Sequence, residues 1–281
     1  MTLQGINRFP VKSCRGHSLR HATVEPWGLA GDRRWVVIDD ADECVTAREH
    51  PRMLLVSPAL RPDGGLDLTS PDAPDLSVDV PTPDQLVPTT VWDSNVVASL
   101  SAPAAHAWFT KVIGRPVRLV YLDDPTRRHP NPRFTRPTDF VSFADAYPLL
   151  LATTASLAAL NDWIAEGPRA DEGPLPMIRF RPNLVLDGST AWEEDGWRRV
   201  RIGEALFRAV KGCDRCAITM TDPESAARGK EPIATLSRYR KWDGGTWFGM
   251  QLVPDNPGVT ISVGDDVEIL ESVAAPDGPP R

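Results

Sequence analysis

The sequence predicts a mainly β protein with a few helices, of the α+β class. Short apolar runs recur between clusters of Gly, Asp, Asn and Pro, as strands and turns require. Eight of the 28 prolines fall between Pro51 and Pro88, which disfavours helices there. Helical spacing is confined to three stretches.

Taken in order, Val36–Asp39, Leu54–Ser57, Leu76–Val80 and Val96–Leu100 read as strands, with turns at Gly64-Gly65 and Asp93-Ser94-Asn95. The first hundred or so residues therefore look all-β, as a small barrel or folded-over sheet. The stretch Ala102–Ile113 reads as a helix. Ala105, Trp108, Phe109, Val112 and Ile113 share a face, Ser101 is a candidate cap, Pro103 suits the first position and Gly114 suits the stop. Asp123–Asp139, rich in Pro and Arg, reads as a loop. A second helix is expected over Ala155–Ala165, burying Leu157, Leu160 and Ile164. Strands follow at Asn183–Asp187, Val200–Ile202, Leu206–Val210 and Val267–Leu270, with a further strand expected at Ala217–Thr221 and a short helix at Glu231–Tyr239.

The chain has 281 residues and a net charge of −7, from 31 Lys+Arg against 38 Asp+Glu. Such an acidic surface repels phosphate backbones, so neither nucleic acid nor an anionic membrane is an expected partner. Any anion site must be a local basic pocket. Cys14, Cys44, Cys213 and Cys216 are too few for a disulfide scaffold. No signal-peptide core opens the sequence and no run spans a bilayer, so a soluble, cytoplasmic protein is expected. GxGxxG, the phosphate-binding P-loop, HExxH and GxSxG are absent from the sequence.

Three constellations carry chemistry. Cys213-Asp214-Arg215-Cys216 suits half a zinc site, a redox pair or a single metal-bound thiolate, or simply two buried cysteines. A zinc site would need Cys14 and Cys44, whose spacing lacks the usual knuckle. Arg181 and Asn183, two apart, would share one face of an extended chain and could bind an oxyanion or a heterocycle edge. Pro10–Gly16, Gly31–Trp35 and Thr46–Arg48 offer Lys, Ser and Arg repeatedly, as a polyanionic ligand would require, although each could be a surface charge.

These residues, taken together, resemble the MOSC proteins in the two-part form with an N-terminal β-barrel region. The resemblance extends to the bacterial molybdenum reductases and the mitochondrial amidoxime-reducing component. It rests on RFPVKSCRG at 8–16, GDRRWVVID at 31–39, TARE at 46–49, RFRPNLVLDG at 179–188 and KGCDRCAITMTDP at 211–223. EPIATLSRYR at 231–240, FGMQLVPDNPG at 248–258 and VGDDVEIL at 263–270 complete it.

The resemblance implies an N-terminal β-barrel region over 1–122 packed on a MOSC β-barrel domain over 123–272, and the Ala-, Pro- and Gly-rich end at 273–281 reads as a disordered tail. It implies a molybdenum–molybdopterin cofactor, ligated by Cys216 as catalytic and metal-binding residue. Lys12, Ser13, Arg33, Arg181, Asn183 and Arg215 match its pterin and phosphate contacts. Asp214 stands where a serine is often found, and is included among the cofactor contacts. Cys213 matches a family position without being the expected ligand.

The implied activity is reduction of N-hydroxylated small molecules. The amidoxime-reducing relatives carry a membrane anchor that this chain, starting at the barrel, is expected to lack. Four cysteines cannot build a plant-type iron–sulfur cluster beside CDRC, so electrons are expected from a separate ferredoxin- or flavodoxin-type protein. The alternatives are a non-catalytic cofactor-binding or sulfur-carrier protein using Cys216, and a structural zinc protein.

Overall fold

The computed structural model describes residues 1–274. The strands run β1 (Thr2–Arg8), β2 (His17–Leu19), β3 (His21–Glu25), β4 (Gly28–Leu29) and β5 (Trp35–Ile38). Next come β6 (Ser57–Leu60), β7 (Leu66–Ser70), β8 (Ala73–Val78), β9 (Leu86–Val91) and β10 (Ser94–Leu100). Helix α1 (Pro103–Ile113) leads into β11 (Arg118–Tyr121). Strand β12 (Leu149–Thr153) feeds α2 (Thr154–Ala165), and β13 (Leu184–Asp187), β14 (Trp197–Ile202) and β15 (Ala205–Asp214) follow. The chain closes with α3 (Ile233–Tyr239), β16 (Lys241–Trp242), β17 (Gly245–Pro254), β18 (Thr260–Ser262) and β19 (Val267–Ser272). The fold is thus mainly β, with an N-terminal barrel region on a curled half-barrel sheet. The expected disordered tail lies, from residue 275 on, outside the described residues.

The large sheet has the order β19-β14-β15-β17-β12-β13-β1-β2, with β16 folded back on β17. Neighbours are antiparallel except β12 and β13, which are parallel and joined through α2. Strand β1 pairs with β13, and β3 with β18, so the first thirty residues share one core with the second half of the chain.

The remaining strands form three small sheets, β18-β3-β4, β5-β11-β10-β9 and β6-β7-β8. Trp35 and Val37 of β5 face one core with α1, while Val36 and Ile38 face a second core with Phe143. A strand buried on both sides needs an uninterrupted apolar run, which WVVI supplies. Helix α1 buries Ala105, Trp108, Phe109 and Val112. Each large side chain so buried stabilises by about 1.5–3 kcal/mol.

Local readings fail at four points. Ala217–Met220 is a 3-10 turn, not a strand: Thr219 turns back so that its Oγ1 donates to the Cys216 carbonyl at 2.9 Å. Pro51–Leu55 is also 3-10, with proline setting its first turn, and the strand starts only at Ser57. Ser101 does not cap α1; Ala102 occupies that position, and the Ser101 hydroxyl is buried without a partner. The hairpin turn at 91–94 centres on Trp92-Asp93 rather than on 93–95.

Glu194 lies fully buried beside the start of α2, accepting hydrogen bonds from Ser156 Oγ at 2.9 Å and Thr153 Oγ1 at 3.3 Å. Burial pushes its carboxyl up to about 7. A folded-state value above the unfolded one means the native state binds the proton more tightly. Stability therefore falls as pH rises from the unfolded value towards the folded one. Glu194→Gln should remove that slope and be about 3 kcal/mol more stable than wild type at pH 8. Urea denaturation at pH 5 and 8 checks this, and identical pH slopes in the two proteins would refute it.

Candidate active site

One cavity of about 210 Å³ gathers all eight residues singled out from the sequence: Lys12, Ser13, Arg33, Arg181, Asn183, Asp214, Arg215 and Cys216. It also takes in Arg48, Asp145, Tyr147, Lys211 and Gln251. Six cationic side chains thus face two carboxylates, in a chain of net charge −7. The elements that deliver them are distant in sequence but adjacent in space.

Lys12 and Ser13 follow a bridge between Val11 and Trp35. The buried Lys12 Nζ donates to the Phe143 carbonyl at 3.0 Å and to the Asp145 carboxylate. Arg33 donates to Asp32 at 2.6 Å and to Asn183 Oδ1 at 3.0 Å, across 150 residues of chain. Asn183 is 1% exposed, and its Oδ1 also accepts from the Leu150 amide at 3.2 Å while its Nδ2 donates to the Asn7 carbonyl at 3.1 Å. It clamps three segments, so most of its hydrogen-bonding capacity is spent inside the protein.

Arg181 is not extended. It ends a 3-10 turn with φ 55° and lies over the Phe9 ring at 4.3 Å. Its Nη2 is buried without a partner. Burial and the like charge of Arg33 draw its guanidinium down to about 10, so it stays charged at neutral pH. Ser13 (φ 67°) and Arg33 (φ 47°) share this left-handed backbone. Such strain in non-glycine residues costs about 1–3 kcal/mol each and concentrates at functional sites.

The CDRC segment leaves β15 through two irregularities of register against β17, at Ala209/Lys211 and Gly212/Asp214. Bulges of this kind re-aim side chains. On the facing strand Gly249 has φ 82°, and a Cβ there would meet the Leu151 carbonyl at 2.6 Å. Glycine is thus needed where β12 presses on β17.

The two cysteines part ways. Cys213 is 8% exposed, accepts from Arg215 Nη1 at 2.8 Å and Gln251 Nε2 at 3.2 Å, and burial pushes its thiol up. Cys216 is half-buried and accepts a hydrogen bond from Arg48 Nε at 3.1 Å. Arg215 therefore serves Cys213 and the Phe180 carbonyl, at 2.7 Å, rather than Cys216. The exposed Asp214 carboxylate accepts the Thr246 amide at 2.8 Å.

Asp145 and Tyr147 carry no signal in the sequence, whereas Arg48 belongs to the Thr46–Arg48 donors read there and Lys211 flanks the CDRC segment. Arg48 stacks over the Trp92 ring at 4.1 Å and pairs with Asp145 at 3.2 Å. Burial pushes the Asp145 carboxyl up, but Lys12 and Arg48 outweigh it and hold it below the usual carboxylate range. Burial raises the Tyr147 hydroxyl to about 12. Among the described residues no three His, Cys, Asp or Glu side chains gather to hold a bare metal ion, and Cys14 is buried in the core with Trp35. That removes the four-cysteine zinc reading. A group that brings its own ligands and needs one more soft donor, together with anion-binding cations, does fit: Cys216 offers the sulfur and Arg181 an unpaired guanidinium.

A basic cavity with one accessible thiol, seated where a β-barrel region meets a curled sheet, defines a MOSC-type protein. Residues 1–116 match the MOSC N-terminal beta barrel domain and residues 138–268 match the MOSC domain. The chain belongs to this two-part MOSC family. It is 33% identical to human mitochondrial amidoxime-reducing component 1 over 282 residues, covering 93% of this chain and 81% of that one. It is 31% identical to human mitochondrial amidoxime reducing component 2, covering 84% and 71%. A molybdenum cofactor sulfurase of Oryza sativa subsp. japonica is 32% identical over 89% of this chain, which spans only 32% of that protein. No helix among the described residues is long and apolar enough to cross a membrane.

Proposed function

We propose that the protein is a molybdenum-cofactor-dependent oxidoreductase that converts N-hydroxylated small molecules to their N–H forms. Hydroxylamines, amidoximes and N-hydroxylated bases are the substrate class. Each turnover consumes two electrons and two protons and releases one water, and the electrons come from a separate ferredoxin- or flavodoxin-type protein. The observation that carries this reading is the single half-buried sulfur of Cys216 at a cavity lined by six cations. The similarity to amidoxime-reducing components supplies the reaction class.

In this reading Cys216 contributes the thiolate, and the bound cofactor supplies the two-electron chemistry and the acceptor for the substrate oxygen. Lys12, Ser13, Arg33, Arg181 and Arg215 neutralise and hydrogen-bond its phosphate and pterin. Asn183 holds Arg33 in place. Asp214 fixes the loop through Thr246. Tyr147 keeps its proton at neutral pH and can donate to a substrate oxygen. We also assign the protein to the cytoplasm, a reducing compartment that suits four free cysteines.

The direct test is to express the full chain in a molybdenum-competent host, quantify molybdenum and pterin per chain, and add chemically reduced viologen with benzamidoxime. Formation of benzamidine is the expected result. A molybdenum-replete protein with no turnover would sink the reductase reading. The relation to a cofactor sulfurase keeps one rival, a sulfur carrier on Cys216. Intact mass separates them: a covalent gain of one sulfur without molybdenum would favour the carrier.

A further inference from the structure

A second cavity, of about 350 Å³, shares Arg181 and Ile218 with the first but otherwise has its own walls. None of its remaining lining residues enters the function proposed above. Three guanidinium groups line it, those of Arg15, Arg179 and Arg181, against the single carboxylate of Glu224. Glu224 is 73% exposed and pairs with Arg15 at 3.0 Å, which puts that carboxylate in solvent, where its charge is screened.

The inner donors are under-used. Arg179 is 7% exposed; its Nε donates to the Thr219 carbonyl at 3.0 Å and its Nη1 reaches Asp222 at 3.4 Å. The shared Arg181 lies over the Phe9 ring, and its Nη2 is buried without a hydrogen-bond partner among the described residues. The Thr221 hydroxyl, on a residue 2% exposed, has no partner either. Buried donors of this kind are normally satisfied by protein, water or ligand. The rest of the wall is apolar, with Leu54, Met177 and Ile178 prominent.

We propose that this cavity binds a small organic anion, a carboxylate or phosphate carried on an apolar body. Arg179 and Arg15 take the anionic head together with the Thr221 hydroxyl, Arg181 being left to the first cavity, and Leu54, Met177 and Ile178 cover the body. A guanidinium pair matches the two-oxygen face of either head group, and neither a neutral nor a cationic ligand would use it. The site needs no molybdenum, so it stands or falls apart from the reductase reading.

Calorimetric titration of the purified full chain with octanoate, octyl phosphate and octanol tests it. One anion per chain is expected, with octanol at least about tenfold weaker. Arg179→Gln and, separately, Arg15→Gln should weaken the anion, the former by about tenfold or more. Lys211→Gln, which alters only the first cavity, should leave its affinity unchanged. The tighter of octanoate and octyl phosphate identifies the head group. Octanol binding as tightly as octanoate would overturn the proposal. So would a Lys211→Gln effect as large as that of Arg179→Gln, because the anion would then occupy the first cavity. Should Arg179→Gln fail to fold, the half-exposed Arg15 carries the test: unchanged octanoate affinity in Arg15→Gln counts against the site. Molybdenum content and benzamidoxime turnover, measured on the same samples, report the first cavity independently.

Discussion

Cys216→Ser should reduce benzamidoxime turnover to background, while Cys213→Ser should stay within about tenfold of wild type. The two sulfurs lie three residues apart but meet different surroundings. Cys213 is closed in by Arg215 and Gln251, and burial favours its neutral thiol. A serine hydroxyl can accept the same two hydrogen bonds, so the cost there is a modest repacking. Cys216 opens on the cavity and, among the described residues, receives only Arg48. A hydroxyl in its place is a hard, weakly acidic donor that a soft metal binds poorly. Turnover and molybdenum per chain should be measured together for both variants. Equal losses would contradict the assignment of Cys216 as the single protein ligand.

Arg33→Ala carries the second large effect, on both stability and cofactor retention. Asp32 is 0% exposed and accepts from the Phe9 amide at 2.7 Å and from Arg33 at 2.6 Å. Removing the guanidinium strands a buried carboxylate, a loss of about 3–5 kcal/mol. In a domain of this size that lowers the melting temperature by roughly 10 °C. Adding Asp32→Asn removes the stranded charge and keeps an acceptor for Phe9, so the double variant should regain most of the stability. It should not regain molybdenum, because the cation facing the cavity is still missing. Calorimetry and metal analysis on the two variants separate the roles. A single variant as stable and as metal-replete as wild type would refute both.

The parts of this fold that are legible in the sequence are those fixed by local periodicity. Ala105, Trp108, Phe109 and Val112 announce α1 because their spacing and its burial coincide, and Gly114 takes the left-handed stop at φ 84°. The uninterrupted apolar run WVVI fits burial on both faces, but it does not name what covers the second face, since Phe143 arrives from elsewhere. Ala217–Met220 misleads because Ile and Thr favour strands while a side-chain hydrogen bond closes a turn. Arg181 and Asn183 do reach one cavity, though by a left-handed turn rather than by extended alternation.

For the site, residue type and family pattern point to the eight residues that surround the cavity. Asp145 escapes notice because an isolated acid in a loop carries no spacing signal. Its part becomes visible only when Lys12, Arg48 and Trp92 converge on it. TARE holds Arg48 in plain view, but nothing local says that its guanidinium reaches a sulfur 168 residues away.

The pairing of β1 with β13 bears on how the chain is made. Leu3 meets Leu186, so the first strand leaves the ribosome long before its partner exists. At about 5–20 residues per second, synthesis of the intervening chain takes on the order of 10–40 s. During that interval β1 has only β2 beside it, with Leu3 and Ile6 uncovered, a natural client for a chaperone. The first cavity, with walls from Lys12 to Gln251, has no existence until nearly the whole chain has emerged, so its occupant must be captured after translation rather than during it.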